Sequence, residues 1–346
     1  MMKTIQELLQ YVIDNKASDL HVVAGAPPTI RLDGVLVPVA AEEAVTPLSA
    51  GQLINGVLTA EQKEVLTVNR ELDFSFTLAE KARFRVNAYQ QKGSMAAAFR
   101  LVPAVIPGID ELGLPKICHQ FAVLKQGFML VTGPTGHGKS TTLAAILEEI
   151  NRTRPVHIVT VEDPIEYVYS SNRAVVSQRE IRQDTHSWEI ALRSALREDP
   201  DVVLIGEMRD FETIAAALTI AETGHLVFAT LHTNSAAQTV DRIVDVFPES
   251  QQAQAKLQLS ANLEAVLSQR LVPKIAGGRT LAYEIMLGTG AVRTAIREGR
   301  THTLDNIITT SAEVGMVTLE SSLAGLVKSG AISLETAQAY GLERET

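Results

Sequence analysis

Cysteine is almost absent from this sequence. Among 346 residues only Cys118 carries a thiol, so the chain can form neither an internal disulfide nor a zinc site built on paired cysteines. Such cysteine usage is typical of a reducing compartment and predicts a cytoplasmic protein. The N-terminal segment has no apolar stretch of the signal-peptide type, and no apolar run approaches the ~18 residues needed to cross a bilayer. We therefore expect a protein that is neither exported nor membrane-spanning.

Aromatic residues and positive charge are also scarce. Aromatics make up 5% of the chain, and the formal net charge is −9. Binding single-stranded nucleic acid usually requires stacking aromatics, and non-specific binding to duplexes requires a basic face. Both deficits argue against a nucleic-acid partner. The apolar and charged fractions, 46% and 21%, are those of a globular protein, and the length is sufficient for two domains.

The first part of the chain, residues 1–102, is predicted to be a mixed α/β domain. Apolar residues recur at helical spacing over 5–16, and shorter segments with strand character follow at 21–24, 29–39, 71–78, 84–90 and 95–102. Proline and glycine then concentrate at Pro103, Pro107, Gly108, Gly113 and Pro115. We interpret residues 103–118 as an interdomain linker.

The pattern changes in residues 119–250, where continuous apolar runs alternate with helical segments. The runs are GFMLVTG, VHIVTVEDP, DVVLIGE and GHLVFATLH. Strands buried on both faces and joined by helices are typical of a parallel sheet. Residues 251–346 are predicted to be helical, apart from a short strand at 280–287. The predicted fold class is therefore α/β, with a mainly parallel sheet in the second domain.

One motif in the second domain identifies a phosphate-binding loop. Residues 133–140 match GxxxxGK[ST] and lie between an apolar strand and an amphipathic helix, as this motif requires. Glycines allow consecutive backbone N–H groups to converge on phosphate oxygens, and the helix N-terminus adds partial positive charge. Lys139 would reach the β- and γ-phosphates, and the Ser140 hydroxyl would ligate Mg²⁺. The predicted ATP-binding residues are Gly133, Pro134, Thr135, Gly136, His137, Gly138, Lys139, Ser140 and Thr141.

Acidic residues follow two of the other apolar runs. Glu207 comes after the run 202–205, where a Walker B element would place a carboxylate beside the phosphate loop, acting on Mg²⁺ directly or through a bound water. Glu162 and Glu166 follow the run after the phosphate-loop helix, and a carboxylate there could orient the attacking water. The alternative interpretation of either cluster is a solvated strand end.

Two histidines flank the last apolar run. His225 precedes it and His232 follows it. Ligands of parallel α/β sheets bind beyond the carboxyl ends of the strands, so His232 is expected to face the nucleotide and could contact its γ-phosphate. The alternative is an ordinary hydrogen-bonding histidine.

Taken together, these motifs resemble those of the secretion-type ATPases. The segments GPTGHGKSTTLAA, VEDPIEYV, ALREDPDVVLIGEMRDFETI and AETGHLVFATLHTNSA are similar in order and spacing to the family's Walker A, Asp-box, Walker B and His-box elements. The resemblance is nearest to the twitching-motility retraction ATPases of the PilT type. It extends to the N-terminal segment ASDLHVVAGAPPTIRLDG, to RFRVNAYQQKG and to residues 295–298, and so covers nearly the whole chain.

The resemblance implies a PAS-like N-terminal domain, a RecA-like ATPase domain and a helical C-terminal portion, assembled as a homohexamer. By position it implies Glu166 as general base, Glu207 as Walker B acid, and His225 and His232 as the His-box pair. Glu162 and His225 are predicted to be among the residues that bind the nucleotide. It also implies that Arg85 and Arg100 approach the nucleotide phosphates, whereas the alternative is that both are surface arginines of strands. The implied partner is a platform protein of the pilus machinery at the inner membrane, and no small-molecule substrate other than ATP is implied.

The sequence departs from the family pattern at two places. His137 stands where the family usually has serine in the phosphate loop, which puts the pH dependence of nucleotide contacts in question. The four-cysteine zinc motif of the assembly and type II secretion ATPases is missing, which favours retraction over assembly. An assembly or secretion ATPase and, less favoured by charge, a nucleic-acid translocase remain the alternatives.

Overall fold

The computed structural model describes residues 3–32, 34–79, 82–103 and 105–342. They fall into two compact units: residues 1–105 with 164–168, and residues 106–163 with 169–346. Within the described ranges no helix combines the length and the apolar character needed to cross a bilayer.

The N-terminal unit contains one antiparallel sheet with helices packed on one face. Its elements are α1 (Ile5–Asp14), β1 (Asp19–Val23), β2 (Thr29–Leu32), β3 (Val35–Pro38), α2 (Pro47–Asn55), α3 (Ala60–Asn69), β4 (Glu71–Leu78), β5 (Ala82–Gln91) and β6 (Ser94–Leu101). The strand order is β3-β2-β1-β6-β5-β4. Alternate residues such as Leu20, Val86 and Phe99 form the core with the apolar faces of the helices. The polar residues between them lie on the opposite face.

The second unit begins with the elements that surround the phosphate loop. They are α4 (Ile117–Val123), β7 (Gly127–Thr132), α5 (Lys139–Thr153), β8 (His157–Glu162), β9 (Val175–Glu180), α6 (Trp188–Ala195), β10 (Val202–Ile205), α7 (Phe211–Glu222), β11 (Leu226–Leu231), α8 (Ala236–Asp245) and α9 (Glu249–Asn262). Every residue of β7, β10 and β11 is buried, as their apolar runs predict. The expected α/β fold with a mainly parallel sheet is confirmed.

The C-terminal part of this unit differs from its prediction. It consists of β12 (Leu263–Pro273), β13 (Arg279–Leu287), α10 (Gly290–Arg297), α11 (Leu304–Thr310), α12 (Leu319–Lys328) and α13 (Leu334–Ala339). β12 pairs in parallel with β7, which gives the sheet order β13-β12-β7-β11-β10-β8-β9. The prediction of helices with one short strand is therefore wrong for 263–273. Leucine, alanine and glutamine are good helix formers, but pairing with β7 overrides that local preference.

Candidate functional site

The phosphate loop connects β7 to α5 at the carboxyl edge of the sheet. Gly133, Gly136 and Gly138 have φ values of 138°, 78° and 82°, a region that favours glycine. Gly138 is the N-cap of α5 and provides no side chain to cap the helix. The loop therefore presents a helix N-terminus of the kind that binds anions.

Lys139 folds back over the loop. Its side chain is buried, and Nζ donates hydrogen bonds to the carbonyl oxygens of Gly133 at 2.8 Å and Pro134 at 3.1 Å. Nζ also lies 3.2 Å from Nδ1 of His232, and the Thr135 hydroxyl lies 3.4 Å from that nitrogen. Because an ammonium group can only donate, Nδ1 of His232 accepts here and the ring proton is on Nε2.

His232 connects the lysine to the acidic group. It follows β11, and its Nε2 donates to Oε1 of Glu207 at 3.0 Å, while Arg209 donates to Oε2 of the same carboxylate at 2.7 Å. Burial raises the pKa of Glu207, but the hydrogen bonds from Arg209 and His232 and the positive charge of Arg209 outweigh it. The net pKa lies below the ordinary value, so Glu207 is ionised at neutral pH.

This chain of contacts borders an open cavity of about 450 Å³. Glu207, Arg209, His232 and Arg242 are among the residues that line it. The fold therefore brings Lys139, His232 and Glu207 together, because parallel strands β7, β10 and β11 end at the same edge. Arg209 was not among the predicted site residues, although its position two residues after Glu207 offered a signal.

Two side chains after the strand ends carry oxygen atoms of the kind that Mg²⁺ accepts. Ser140 lies in the first turn of α5, and Glu207 supplies a carboxylate. The part of the chain that the structure describes holds no cluster of three or more His, Cys, Asp or Glu side chains suited to a metal. Mg²⁺ at nucleotide sites is held by one or two protein oxygens together with phosphate oxygens and water. A hydroxyl and a carboxylate therefore provide a suitable donor set.

His225 is placed away from this cluster. It precedes β11, next to Gly127 in the register, whereas the phosphate loop begins after Thr132 at the other end of the paired strands. The intervening strand of about six residues separates the two positions by roughly 20 Å. Nδ1 of His225 instead lies 3.0 Å from the Ile220 carbonyl oxygen. The fold therefore places His225 at the opposite end of β11 from the phosphate loop, whereas the sequence predicts it among the nucleotide-binding residues.

The two glutamates after β8 have different surroundings. Glu162 is buried, and its Oε1 accepts hydrogen bonds from Thr160 at 2.7 Å and Gln178 at 3.2 Å. Glu166 is exposed and lies in the segment 164–168, which groups with the N-terminal unit.

Arg85 and Arg100 are register partners on β5 and β6 of the N-terminal unit. Nε of Arg100 donates to Oδ1 of the buried Asp19 at 2.9 Å, while its side chain remains 69% exposed. Arg85 is half-buried on the same face of the sheet. The two guanidinium groups therefore lie on the polar face, opposite the helices of this unit.

Comparisons with known proteins agree with this architecture. A model of the family described as type II/IV secretion system protein matches residues 1–309. The type IV pilus retraction ATPase PilT of Pseudomonas aeruginosa is 48% identical over 337 residues, covering 96% of this chain and 97% of that protein. The type IV pilus ATPase PilU of the same organism is 38% identical, covering 97% and 88%.

A solved structure of known function has the same fold over nearly the whole chain. The crystal structure of the pilus retraction motor PilT with bound ADP has a TM-score of 0.92 to this chain and 45% sequence identity, covering 99% of this chain and 98% of that one. The chain therefore belongs to the type II/IV secretion system protein family and is one of its ATPases of the PilT type.

Proposed function

We propose that the chain is the subunit of a homohexameric, Mg²⁺-dependent motor that hydrolyses ATP to drive type IV pilus retraction. The observation that carries the assignment of the site is the continuous series of contacts from Lys139 through His232 to Glu207 beside the phosphate loop. The assignment to retraction rests on the similarity to PilT over nearly the full length of both chains.

Each group in the series has a distinct role. The Lys139 ammonium exchanges its two loop carbonyls for β- and γ-phosphate oxygens when ATP binds. That movement releases Nδ1 of His232 from Lys139, while Nε2–H continues to orient Glu207. Mg²⁺, when bound, offsets charge on the phosphate oxygens. The ionised Glu207 and the Ser140 hydroxyl are the residues that would hold it.

The resemblance to the family assigns three further residues to this proposal. Glu166 accepts the proton of the attacking water as general base, whereas Glu162 is fixed within the sheet by Thr160 and Gln178. Arg85 and Arg100 approach the phosphates, where planar guanidinium groups can bridge two oxygens. The motor works on the cytoplasmic side of the inner membrane against a platform protein of the pilus machinery.

The site assignment is tested by separating binding from turnover. Lys139→Ala should lose turnover and much of its affinity for Mg·ATP, because the phosphate loses its buried cation. Glu207→Ala should still bind Mg·ATP but turn over at least ~10²-fold more slowly, the scale of losing a positioned acid or base. Steady-state hydrolysis and calorimetric binding measure the two effects, with Lys125→Ala and Glu222→Ala as exposed controls. Near-normal turnover in both site variants would refute the assignment.

The cellular role requires a separate experiment. Deleting the gene should leave pili that accumulate on the cell surface while twitching motility disappears. Loss of pili, rather than their accumulation, would favour assembly or secretion. Stimulation of the purified ATPase by DNA would instead favour a translocase.

A further inference from the structure

Strand β12 lies unusually close to the start of the phosphate loop. Ser268 pairs with Thr132, which places the next residues, Gln269 and Gly133, side by side. A Cβ atom at Gly133 would lie 2.2 Å from the Gln269 carbonyl oxygen. Only glycine therefore permits this approach, and the loop leaves the sheet against the backbone of β12.

The same strand also contacts the middle of the loop. Nε2 of Gln269 donates a hydrogen bond to the His137 carbonyl oxygen at 2.7 Å, and the backbone N–H of Leu271 donates to Nδ1 of His137 at 3.0 Å. The Gln269 side chain is buried, so its position is fixed by packing. Two residues of one strand thus hold the central residue of the loop by both its backbone and its side chain.

These contacts meet a loop that has little rigidity of its own. Three of its residues are glycines with positive φ, and glycine loses more backbone freedom on ordering than any other residue. A loop that is already ordered before the ligand arrives binds it more tightly, because less conformational entropy is lost on binding.

We propose that Gln269 is a positioning residue that, with the Leu271 N–H, clamps the phosphate loop in the conformation that binds nucleotide phosphates. The inference rests on the proposed phosphate-binding role of the loop. Gln269 itself does not contact the reacting atoms, and its effect passes through the backbone of residues 133–138.

The variant Gln269→Met tests the clamp with little disturbance of the core. Methionine has a similar length and flexibility, so the packing volume is retained. The Oε1 atom of Gln269 is buried and has no hydrogen-bond partner among the described residues, and the substitution removes this unsatisfied group together with the Nε2 donor. The matched control is Gln252→Met, since the amide of Gln252 also donates to a backbone carbonyl, that of Phe247 at 3.2 Å.

Binding of Mg·ADP and of a non-hydrolysable Mg·ATP analogue to the full chain should weaken about tenfold in Gln269→Met, the scale of one hydrogen bond that orders a binding site. KM should rise in parallel, with kcat at saturation within about twofold of wild type, because Glu207 and His232 are unchanged. A merely structural role would instead lower the thermal midpoint and kcat at unchanged Kd, and that result would overturn the proposal. Gln252→Met should match wild type in both Kd and KM.

A second variant and a reference variant complete the experiment. His137→Ser removes the hydrogen bond from Leu271 without altering β12, and should weaken binding in the same direction. Loss of affinity in Lys139→Ala, combined with wild-type affinity in both Gln269→Met and His137→Ser, would overturn the clamp alone. Wild-type affinity in all three variants would overturn the assignment of the loop as well.

Discussion

Two charged regions of the ATPase unit are built in opposite ways. At the carboxyl edge of the sheet, Lys139, His232, Glu207 and Arg209 come from three separate elements and contact one another in series. At the C-terminal end of α10, Glu298 pairs with Arg300 and Arg297 with Thr294, and both of these contacts are local and exposed. The first arrangement exists only in the folded chain, whereas the second joins residues at most three positions apart in the sequence. A change at the first should therefore alter hydrolysis, and one at the second should not.

The largest effect expected at the nucleotide edge, apart from Lys139 and Glu207 themselves, concerns the proposed general base. Glu166→Gln should reduce turnover by about 10²-fold, because the amide keeps the shape but cannot accept the proton. Glu162→Gln is the matched control: its carboxylate is already occupied by Thr160 and Gln178, so a smaller loss is expected. Hydrolysis rates are compared after binding of Mg·ATP has been confirmed for each. A more severe defect in Glu162→Gln at intact binding would exchange the two roles.

A smaller effect at the same edge should appear in the pH dependence of binding. Burial and the positive charges of Arg279, Lys139 and Arg270 lower the pKa of His137, so its neutral ring accepts the hydrogen bond from Leu271. If the loop were not held against β12, the His137 side chain would have the ordinary histidine pKa of about 6.5. The contact between His137 and β12 therefore contributes fully above about pH 6.5. Its contribution is lost as the pH falls from there toward the lowered pKa, and the equilibrium constant for this contact decreases by up to about tenfold per pH unit.

The measurement is the affinity for Mg·ADP between pH 8 and pH 5.5, compared with His137→Ser. Serine does not titrate, so the variant reports the pH dependence that comes from every group other than His137, the nucleotide phosphates included. Wild type should lose affinity more steeply than this control below about pH 6.5. If wild type instead gains affinity relative to the control, an imidazolium attracts the phosphates, and docking on β12 is not what His137 contributes.

Much of this edge could be predicted from sequence because its parts follow strands. The apolar runs that became β7, β10 and β11 are buried throughout, and residues after their ends meet at one edge. The same rule places His225, which precedes β11, at the opposite edge of the sheet. Strand β9 was missed because VVSQRE is only partly apolar, as suits an edge strand.

The contacts of β12 with the loop could not be predicted in this way. Its sequence, LEAVLSQRLVP, is composed largely of helix formers, and only pairing with β7 makes it a strand. Gln269 and His137 are 132 positions apart, and no motif connects them. A loop motif specifies which backbone will bind phosphate, whereas the residues that hold this backbone depend on tertiary packing.

The smallest effect on hydrolysis is expected for substitutions at the C-terminal end of α10. This experiment tests most directly whether this region and the nucleotide edge have different roles. Ala295 and Ile296 are buried in the main core, while Arg297 and Glu298 are exposed. The resemblance to retraction ATPases extends to these four residues, and we propose that they form an output element outside the catalytic site. We therefore expect Arg297→Ala and Glu298→Ala to leave hydrolysis and oligomerisation close to wild type yet abolish pilus retraction in cells. Removing exposed charges usually changes the free energy of unfolding by less than about 0.5 kcal/mol, so a folding defect should not confuse the result.

The matched control is the pair Glu320→Ala and Lys328→Ala on α12, which removes the same two charges from another exposed helix of this unit. Retraction is followed as twitching motility and surface piliation, and hydrolysis is measured on the purified variants. If the control loses motility as well, the effect reflects the overall charge of the C-terminal surface rather than α10. If the double variant of α10 keeps full motility, Arg297 and Glu298 are ordinary solvated residues of an amphipathic helix. Loss of hydrolysis together with motility would instead show that α10 acts on the nucleotide edge, and the contrast between the two regions would not hold.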